Sequence, residues 1–367
     1  MTAMPTDLPT STDKASGAAR VLFITRKWGP AVGGMETYSE RLSEELARLH
    51  PLDVIALKGR DNGLPPTALA LLLFPFAVLR RLFALRDAPA IIHCGDMAIW
   101  PLGLMARAFF PKARLVLSAH GTDVSYGLRG GFLGSAYEAY QKLGARLLGR
   151  AGVIANSHAT HDRLKDIGWQ PRAVVPLATD LRGSPPASFD PDTILFAGRL
   201  ITQKGCSWFV REVMPLLPET MRLTVIGTRW DASEDAVLDF PRVNFLGPMP
   251  QTELARHFGT AGCVVMPNIE RANGEFEGFG LIAPEAASVG GVVVAAATGG
   301  LKDAVINGET GFLLPPGDAK AWADRIIAIR EWSAKARADF VAQSQLAAQR
   351  HFSWRRVAEA TAQAYVQ

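Results

Sequence analysis

No stretch of this 367-residue chain reaches 18 consecutive apolar residues, so no segment is long enough to cross a bilayer as a helix. Cysteine is scarce as well. Cys94, Cys206 and Cys263 lie far apart, are odd in number and include no CxxC pair. That argues against a disulfide scaffold or structural zinc and for a reducing compartment. The 34 Gly and 24 Pro are dispersed rather than periodic, which excludes collagen-like and solenoid readings. No GxGxxG stands at a strand–helix turn, and this weakens the case for a dinucleotide oxidoreductase. A nucleic-acid-binding motif is missing too, as is a basic stripe studded with aromatics, so nucleic acid is not an expected partner. Residues 1–19 are polar, lack an apolar run and read as a loose, disordered tail.

What is present is size, apolar mass and an uneven charge. A 48% hydrophobic content over this length suits two buried cores. Residues 1–185 carry 22 Lys and Arg against 15 Asp and Glu, or +7, and the remainder carries 17 against 20, or −3. A basic front half attracts anionic partners such as phosphates or an acidic lipid surface. "ALALLLFPFAVL" (68–79), followed by Arg80 and Arg81, is the longest apolar run. It reads as a buried helix or as an interfacial one with its arginines at lipid headgroup level.

Short apolar runs alternate with helical patterns from residue 20 onward. "RVLFIT" (20–25), "DVIAL" (53–57), "AIIHC" (90–94), "RLVLSA" (114–119), "GVIANS" (152–157) and "AVVPL" (173–177) read as buried strands. "RGSPPASFDPD" (182–192) interrupts them and places a linker. A second series follows: "TILFAG" (193–198), "RLTVIG" (222–227), "VNFLG" (243–247), "GCVVMP" (262–267), "VVVAAA" (292–297) and "GFLLP" (311–315). The expected architecture is α/β: two doubly wound, Rossmann-like domains, with a cleft at the carboxyl ends of their strands. Expected bounds are residues 20–183 for the first domain, 184–192 for the linker and 193–350 for the second. A C-terminal helical segment, 351–367, is long enough to pack back on the first domain.

Conspicuous residues cluster just after the expected strands, where open α/β sheets bind ligands. Gly33 and Gly34 precede a helix and can let backbone N–H groups approach an anion. His120 ends a strand in "HGTD", a position suited to touching ligand oxygens, and His93 ends another with fewer polar neighbours. Arg199 and Lys204 flank a turn after a strand and can converge on one diphosphate. "EGFGLIAPEAAS" (277–288) holds Glu277 and Glu285 eight positions apart. A helical rise of about 1.5 Å per residue would separate them by roughly 12 Å. A glycosidase pair needs carboxyls about 5–9.5 Å apart. Two contacts on one long ligand fit the interval better. The only DxD, Asp190–Pro191–Asp192, falls in the expected linker and reads as a turn rather than a metal site.

These blocks together resemble a retaining glycosyltransferase of family 4, with the GT-B fold. The match runs from residue 20 to the end and is strongest over residues 277–318, where "EGFGLIAPE" is similar to the family's E-x7-E signature. "GGMETYSERL", "HGTD", "GRLITQKG" and "FSWRRVAEA" resemble further family blocks in the right order. The resemblance implies transfer of a hexose from a UDP- or GDP-linked sugar, with no cofactor and no metal. It implies that Arg199 and Lys204 hold the diphosphate, Glu277 the sugar hydroxyls and Glu285 the ribose. It further places Gly33 and Gly34 against donor phosphates or acceptor, His120 near the sugar, and the amides of Gly280 and Leu281 on the diphosphate. It makes residues 20–183 an acceptor-binding domain and 193–350 a nucleotide-sugar-binding one. The basic front half, with its apolar segment, adds the expectation of a lipid-linked or saccharide acceptor at the anionic cytoplasmic face of a membrane, in polysaccharide or lipid-linked glycan assembly. The implied location is the cytoplasm. A sugar-nucleotide epimerase of the same fold, or a non-catalytic subunit, are the alternatives. The loop "PNIERANGEFE" is longer than the family's short form, and "PLATD" replaces its more usual sequence.

Overall fold

A computed structural model describes residues 18–184 and 188–366. Most of the expected tail (1–17), residues 185–187 of the expected linker and Gln367 lie outside the described residues. The chain divides into two compact units, Met1–Leu177 with Trp354–Gln367, and Ala178–Ser353.

In the first unit six strands form one parallel sheet: β1 (Val21–Trp28), β2 (Leu52–Lys58), β3 (Ile91–Cys94), β4 (Arg114–Ala119), β5 (Gly152–Ala155) and β6 (Pro171–Val174). Their order is β2-β1-β3-β4-β5-β6. β3 and β5 are wholly buried, and β4 is buried beyond its first residue. Helices therefore cover both faces, as parallel sheets require. The step from β1 to β2 runs opposite to the four steps from β2 to β6. Right-handed crossovers then put helix Gly34–Leu46 on one face and helices Ala68–Ala84, Trp100–Phe109, Gly131–Leu147 and His158–Asp166 on the other.

Helix Trp354–Ala364 belongs to this unit and packs beside Gly34–Leu46, with the Trp354 and Tyr38 rings 6.2 Å apart. The adjoining Tyr365 hydroxyl lies 2.7 Å from His93 Nδ1, whose Nε2 is 2.8 Å from Ser118 Oγ. His93 is fully buried, and burial, with His120 nearby, pushes its pKa down to about 3. Its weaker reading as a ligand contact gives way to a structural one, because both ring nitrogens are already engaged.

The second unit repeats the plan with β7 (Asp190–Ala197), β8 (Arg222–Ile226), β9 (Val243–Gly247), β10 (Ala261–Met266), β11 (Val293–Ala296) and β12 (Phe312–Leu314), ordered β12-β11-β10-β7-β8-β9, all parallel. β7 starts at Asp190, inside the expected linker. Asp190 pairs with Ala261 of β10, and Asp192 lies 2.5 Å from Arg330 Nε. A proline is tolerated so close to a strand's start. All twelve strands read from the sequence are present.

The run 68–79 is where the sequence reading of a buried helix fails. It extends into helix Ala68–Ala84, of which only Phe74, Val78 and Leu82 are buried. That i, i+4, i+8 stripe is one residue wide. Ala70, Ala77 and Leu79 beside it are half-buried, and the remaining apolar side chains face solvent.

Candidate functional site

The second unit brings its predicted residues together at the carboxyl edge of its sheet. β7 and β10 are neighbours, so the loops that follow them lie side by side, and Ile269 N donates to Gln203 O at 3.1 Å. Lys204 ends the first loop. Gly205 beside it has φ +72°, and a Cβ there would sit 2.0 Å from Pro267 O, so only glycine lets the loops approach this closely. Across the junction Lys204 Nζ forms an ion pair with Glu277 Oε2, and Asn268 Nδ2 donates to the same oxygen at 3.2 Å. Lys204 and Glu277 side chains are 15% and 17% exposed, and Asn268 is buried. Burial pushes the Glu277 carboxyl up, but Lys204, Asn268 and Arg199 outweigh it and hold the group below its ordinary range.

The backbone of Glu277 is fixed from a third loop, since Gly300 N donates to Glu277 O at 2.7 Å. The "TGG" turn after β11 thus serves to hold the acid's loop. Gly280, at φ +94°, turns the chain toward helix Ile282–Ser288, and a Cβ there would meet Leu301 at 2.5 Å. Leu281 is that helix's N-cap residue. Glu285 lies in its first turn, apart from the Lys204 cluster, and accepts from Gln251 Nε2 at 3.0 Å. Burial pushes its pKa up to about 7 against the lowering effect of Gln251. Arg199 is exposed, its guanidinium 5.8 Å from the centre of the Trp230 ring.

A cavity of about 250 Å³ adjoins Glu277, lined by Gln203, Asn268, Glu270, Arg271, Glu275 and Thr298 among others. Another, of about 460 Å³, lies along Asp190, Thr224, Asn244 and Arg256, toward the strands' amino ends. Open α/β sheets take ligands at the carboxyl ends, so the smaller cavity is the candidate. Asp190 and Asp192 begin β7, whereas Arg199 follows its end. Seven residues of strand put roughly 23 Å between Asp192 and Arg199. Asp190 is spent on Asp192 N and Thr193 Oγ1, at 3.0 and 2.7 Å.

In the first unit, His120 is buried at the end of β4. Its Nε2 lies 2.9 Å from Gly95 O, which can only accept, so Nε2 carries a proton. Nδ1 has no partner among the described residues. Asp123 positions this turn by accepting from His120 N at 2.8 Å and Met97 N at 3.1 Å. Asp96 caps Ala98 N at 2.9 Å and pairs with Arg26 at 3.2 Å. Gly33 and Gly34 lie at the start of helix Gly34–Leu46. Beside them stands an acid that the sequence reading passed over: Glu36, buried and 3.2 Å from Lys27 Nζ. A side chain at Gly33 would press on Glu36, its Cβ 2.5 Å from Oε2.

Asn268, Asp96, Asp123 and Glu36 were all missed by sequence reasoning. Their shared signal is a polar residue within a few positions of a strand's end or a helix's start.

The group 1 glycosyl transferase family model matches residues 191–331, and the glycosyltransferase family 4 model matches residues 32–182. Glycogen synthase of Mycobacterium tuberculosis is 28% identical over 301 residues, covering 76% of this chain and 69% of that protein. The structure of sucrose-phosphate synthase from Thermosynechococcus elongatus superposes with a TM-score of 0.70 at 23% identity, over 95% of this chain and 98% of that one. Anabaena HepE in complex with UDP-glucose gives 0.64 at 18%, over 94% and 98%. These likenesses to solved structures are likenesses of fold.

Proposed function

The chain belongs to glycosyltransferase family 4 and is a glycosyltransferase, and from that premise we propose that it transfers a hexose from a UDP- or GDP-linked sugar to an acceptor hydroxyl with retention of configuration. The observation that carries this reading is the Lys204–Glu277–Asn268 cluster, with Arg199 nearby, at the carboxyl edge of the second unit's sheet. A fork-shaped guanidinium and a point-charge ammonium suit a diphosphate. A carboxylate kept ionised suits sugar hydroxyls, which donate to it. The 250 Å³ cavity beside Glu277 is below the usual range of drug-sized pockets and has room for one sugar ring. HepE's bound UDP-glucose supports the donor class.

In the reaction the bond from sugar C1 to the diphosphate oxygen breaks, and one from C1 to the acceptor oxygen forms on the same face. The departing phosphate oxygen takes the acceptor's proton. Lys204 and Arg199 neutralise the charge that grows on that diphosphate, assisted by the amides of Gly280 and Leu281. Glu277 holds the sugar while positive charge develops at C1. Glu285 accepts from the ribose hydroxyls. His120, through Nδ1, and Gly33 and Gly34 contact the sugar and the phosphates or acceptor. We place the activity in the assembly of polysaccharide or lipid-linked glycan in the cytoplasm, with an acceptor at or near the membrane.

Cationic side chains do the work of a divalent ion in this scheme, so turnover is expected to survive EDTA. Loss of activity in chelator, restored by magnesium or manganese, would return attention to Asp190 and Asp192. Product analysis by NMR tests the reaction itself: the new linkage should carry the donor's anomeric configuration, and an inverted product refutes retention.

Glu285 gives a pH dependence. Its folded pKa of about 7 lies above the unfolded carboxyl value of about 4.3, so the folded state favours the protonated form. Its contribution to stability is present below the unfolded value and is lost as pH rises through about 7. Ribose hydroxyls favour the ionised form, so nucleoside diphosphate binding should release a proton near pH 6. Titration calorimetry in buffers of different ionisation enthalpy measures that proton, and Glu285→Gln should reduce the release to the share that comes from the terminal phosphate.

A further inference from the structure

Helices Ala68–Ala84, Trp100–Phe109 and Gly131–Leu147 form one continuous layer on a single face of the first unit's sheet. Phe83 and Phe109 meet edge to face at 4.9 Å, and Trp100 and Tyr140 lie 5.1 Å apart, so the three helices adjoin in that order. Their outward side is rich in exposed apolar side chains. Leu72 and Phe76 of the first are 69% and 68% exposed, and Phe132 and Leu133 of the third are 86% and 69% exposed, with Leu104 of the second between them. Single exposed leucines are ordinary, but a layer of them across adjacent helices is not.

The charge on this layer is predominantly positive. Together the three helices carry Arg80, Arg81, Arg107, Lys142 and Arg146 against a single acid, Glu138, which is itself paired with Lys142 and Arg163 at 2.7 and 2.8 Å. The two kinds of side chain are also sorted along the helices. Each helix begins at the carboxyl edge of the sheet and runs back toward the amino edge. Leu69, Leu72, Phe76, Phe132 and Leu133 fall in the first halves, while the basic residues fall in the second halves. The exceptions are Phe83, which follows Arg80 and Arg81, and Leu143 and Leu147, interleaved with Lys142 and Arg146. Among the described residues no helix is long and apolar enough to cross a membrane.

We propose that this three-helix layer is a docking face for an anionic lipid bilayer, with its apolar first halves lying in the headgroup boundary and its basic second halves on lipid phosphates. Interfacial helices bury about 5–10 Å of apolar side chain this way, and each nearby Lys or Arg adds roughly 1 kcal/mol of attraction to an acidic leaflet. A second copy of the chain is the poorer occupant, because it would set the same basic residues against themselves. The inference deepens the membrane-proximal acceptor above and names the surface responsible. Phe132 and Leu133 open the helix that follows His120 and Asp123 in the chain, so docking brings the carboxyl edge of this sheet, with His120, close to the lipid.

The test is flotation of the full chain with vesicles of phosphatidylcholine alone and of phosphatidylcholine mixed with phosphatidylglycerol. Binding is expected to the mixed vesicles only, falling as salt approaches about 0.5 M. Arg80→Glu with Arg146→Glu should weaken it on the order of tenfold or more, since each removed charge is worth about fivefold. Leu72→Ser with Phe76→Ser should weaken it roughly tenfold. All four positions are exposed, so the variants should keep the melting temperature and the transfer rate to a water-soluble acceptor. Equal binding to both vesicle types, or none to either, overturns the proposal. So does a dimer in analytical ultracentrifugation that the serine variants dissociate. Vesicle binding without any transfer would fail the proposed reaction and leave the docking face standing; transfer without vesicle binding would do the reverse.

Discussion

Glu277→Gln is expected to lower kcat on the order of ten- to a hundredfold while leaving nucleoside diphosphate affinity equal or slightly tighter. The substitution keeps shape and removes charge. A hydrogen bond to a charged group is worth about 1.5–3 kcal/mol, and in the proposed reaction that worth is greatest as positive charge develops on the sugar. An interaction strengthened in the transition state shows in kcat, and one shared with the ground state shows in KM. Glu277 is ion-paired with Lys204. The glutamine variant frees Lys204 for the diphosphate, which is why affinity should not fall. Steady-state kinetics beside calorimetric titration reads both quantities, and a collapse of diphosphate binding would show that Glu277 sits at the phosphate end.

Lys204→Ala should cost more, on the order of a hundred- to a thousandfold in kcat/KM, the range for losing one preorganised group that stabilises developing charge. Two effects add here. The diphosphate loses a counter-charge, and Glu277, 17% exposed, loses the partner that outweighs its burial. Its carboxyl should then titrate higher, moving the acid limb of the pH–rate profile upward. Stability carries the same sign. A depressed folded pKa contributes stability that is present above the unfolded value of about 4.3 and is lost as pH falls through the folded value. The lysine variant should therefore lose stability at neutral pH, about 1–3 kcal/mol for an unpaired group, and little once pH has fallen below the folded value. In Lys204→Ala with Glu277→Gln the stability losses should sum to less than the two singles, because each removes the same contact. Strict additivity would mean that the pair is incidental.

Much of this was legible in the sequence, for identifiable reasons. The strands in the middle of each sheet are buried and read as continuous apolar runs, the edge strands β6 and β9 kept enough apolar residues to be read too, and turn residues marked the ends. Arg199, Lys204 and Glu277 were visible because charged residues beside glycine at strand ends are unusual, and Glu285 was visible through its eight-residue interval from Glu277. Hidden was the pairing of Lys204 with Glu277 across 73 residues, which depends on β7 and β10 being neighbours, a matter of strand order. Asn268 and Glu36 were hidden because asparagine after a strand and glutamate in a helix's first turn are commonplace in turns and caps. The boundary at Asp190 misled because proline and serine mark loops on average, while a strand's first residues tolerate them. Helix Ala68–Ala84 misled for the opposite reason. Apolar composition signals burial only where a partner surface exists, and the unit offers one a single side chain wide.

The central claim is that the acids of "EGFGLIAPE" grip the two ends of one nucleotide sugar. Calorimetric titration of wild type, Glu277→Gln and Glu285→Ala with UDP and with GDP tests it most directly. The account predicts saturable binding of one of these by wild type, preserved in Glu277→Gln and weakened on the order of ten- to a hundredfold in Glu285→Ala. Binding that is lost in Glu277→Gln and intact in Glu285→Ala, or absent from wild type with both nucleotides, would contradict it.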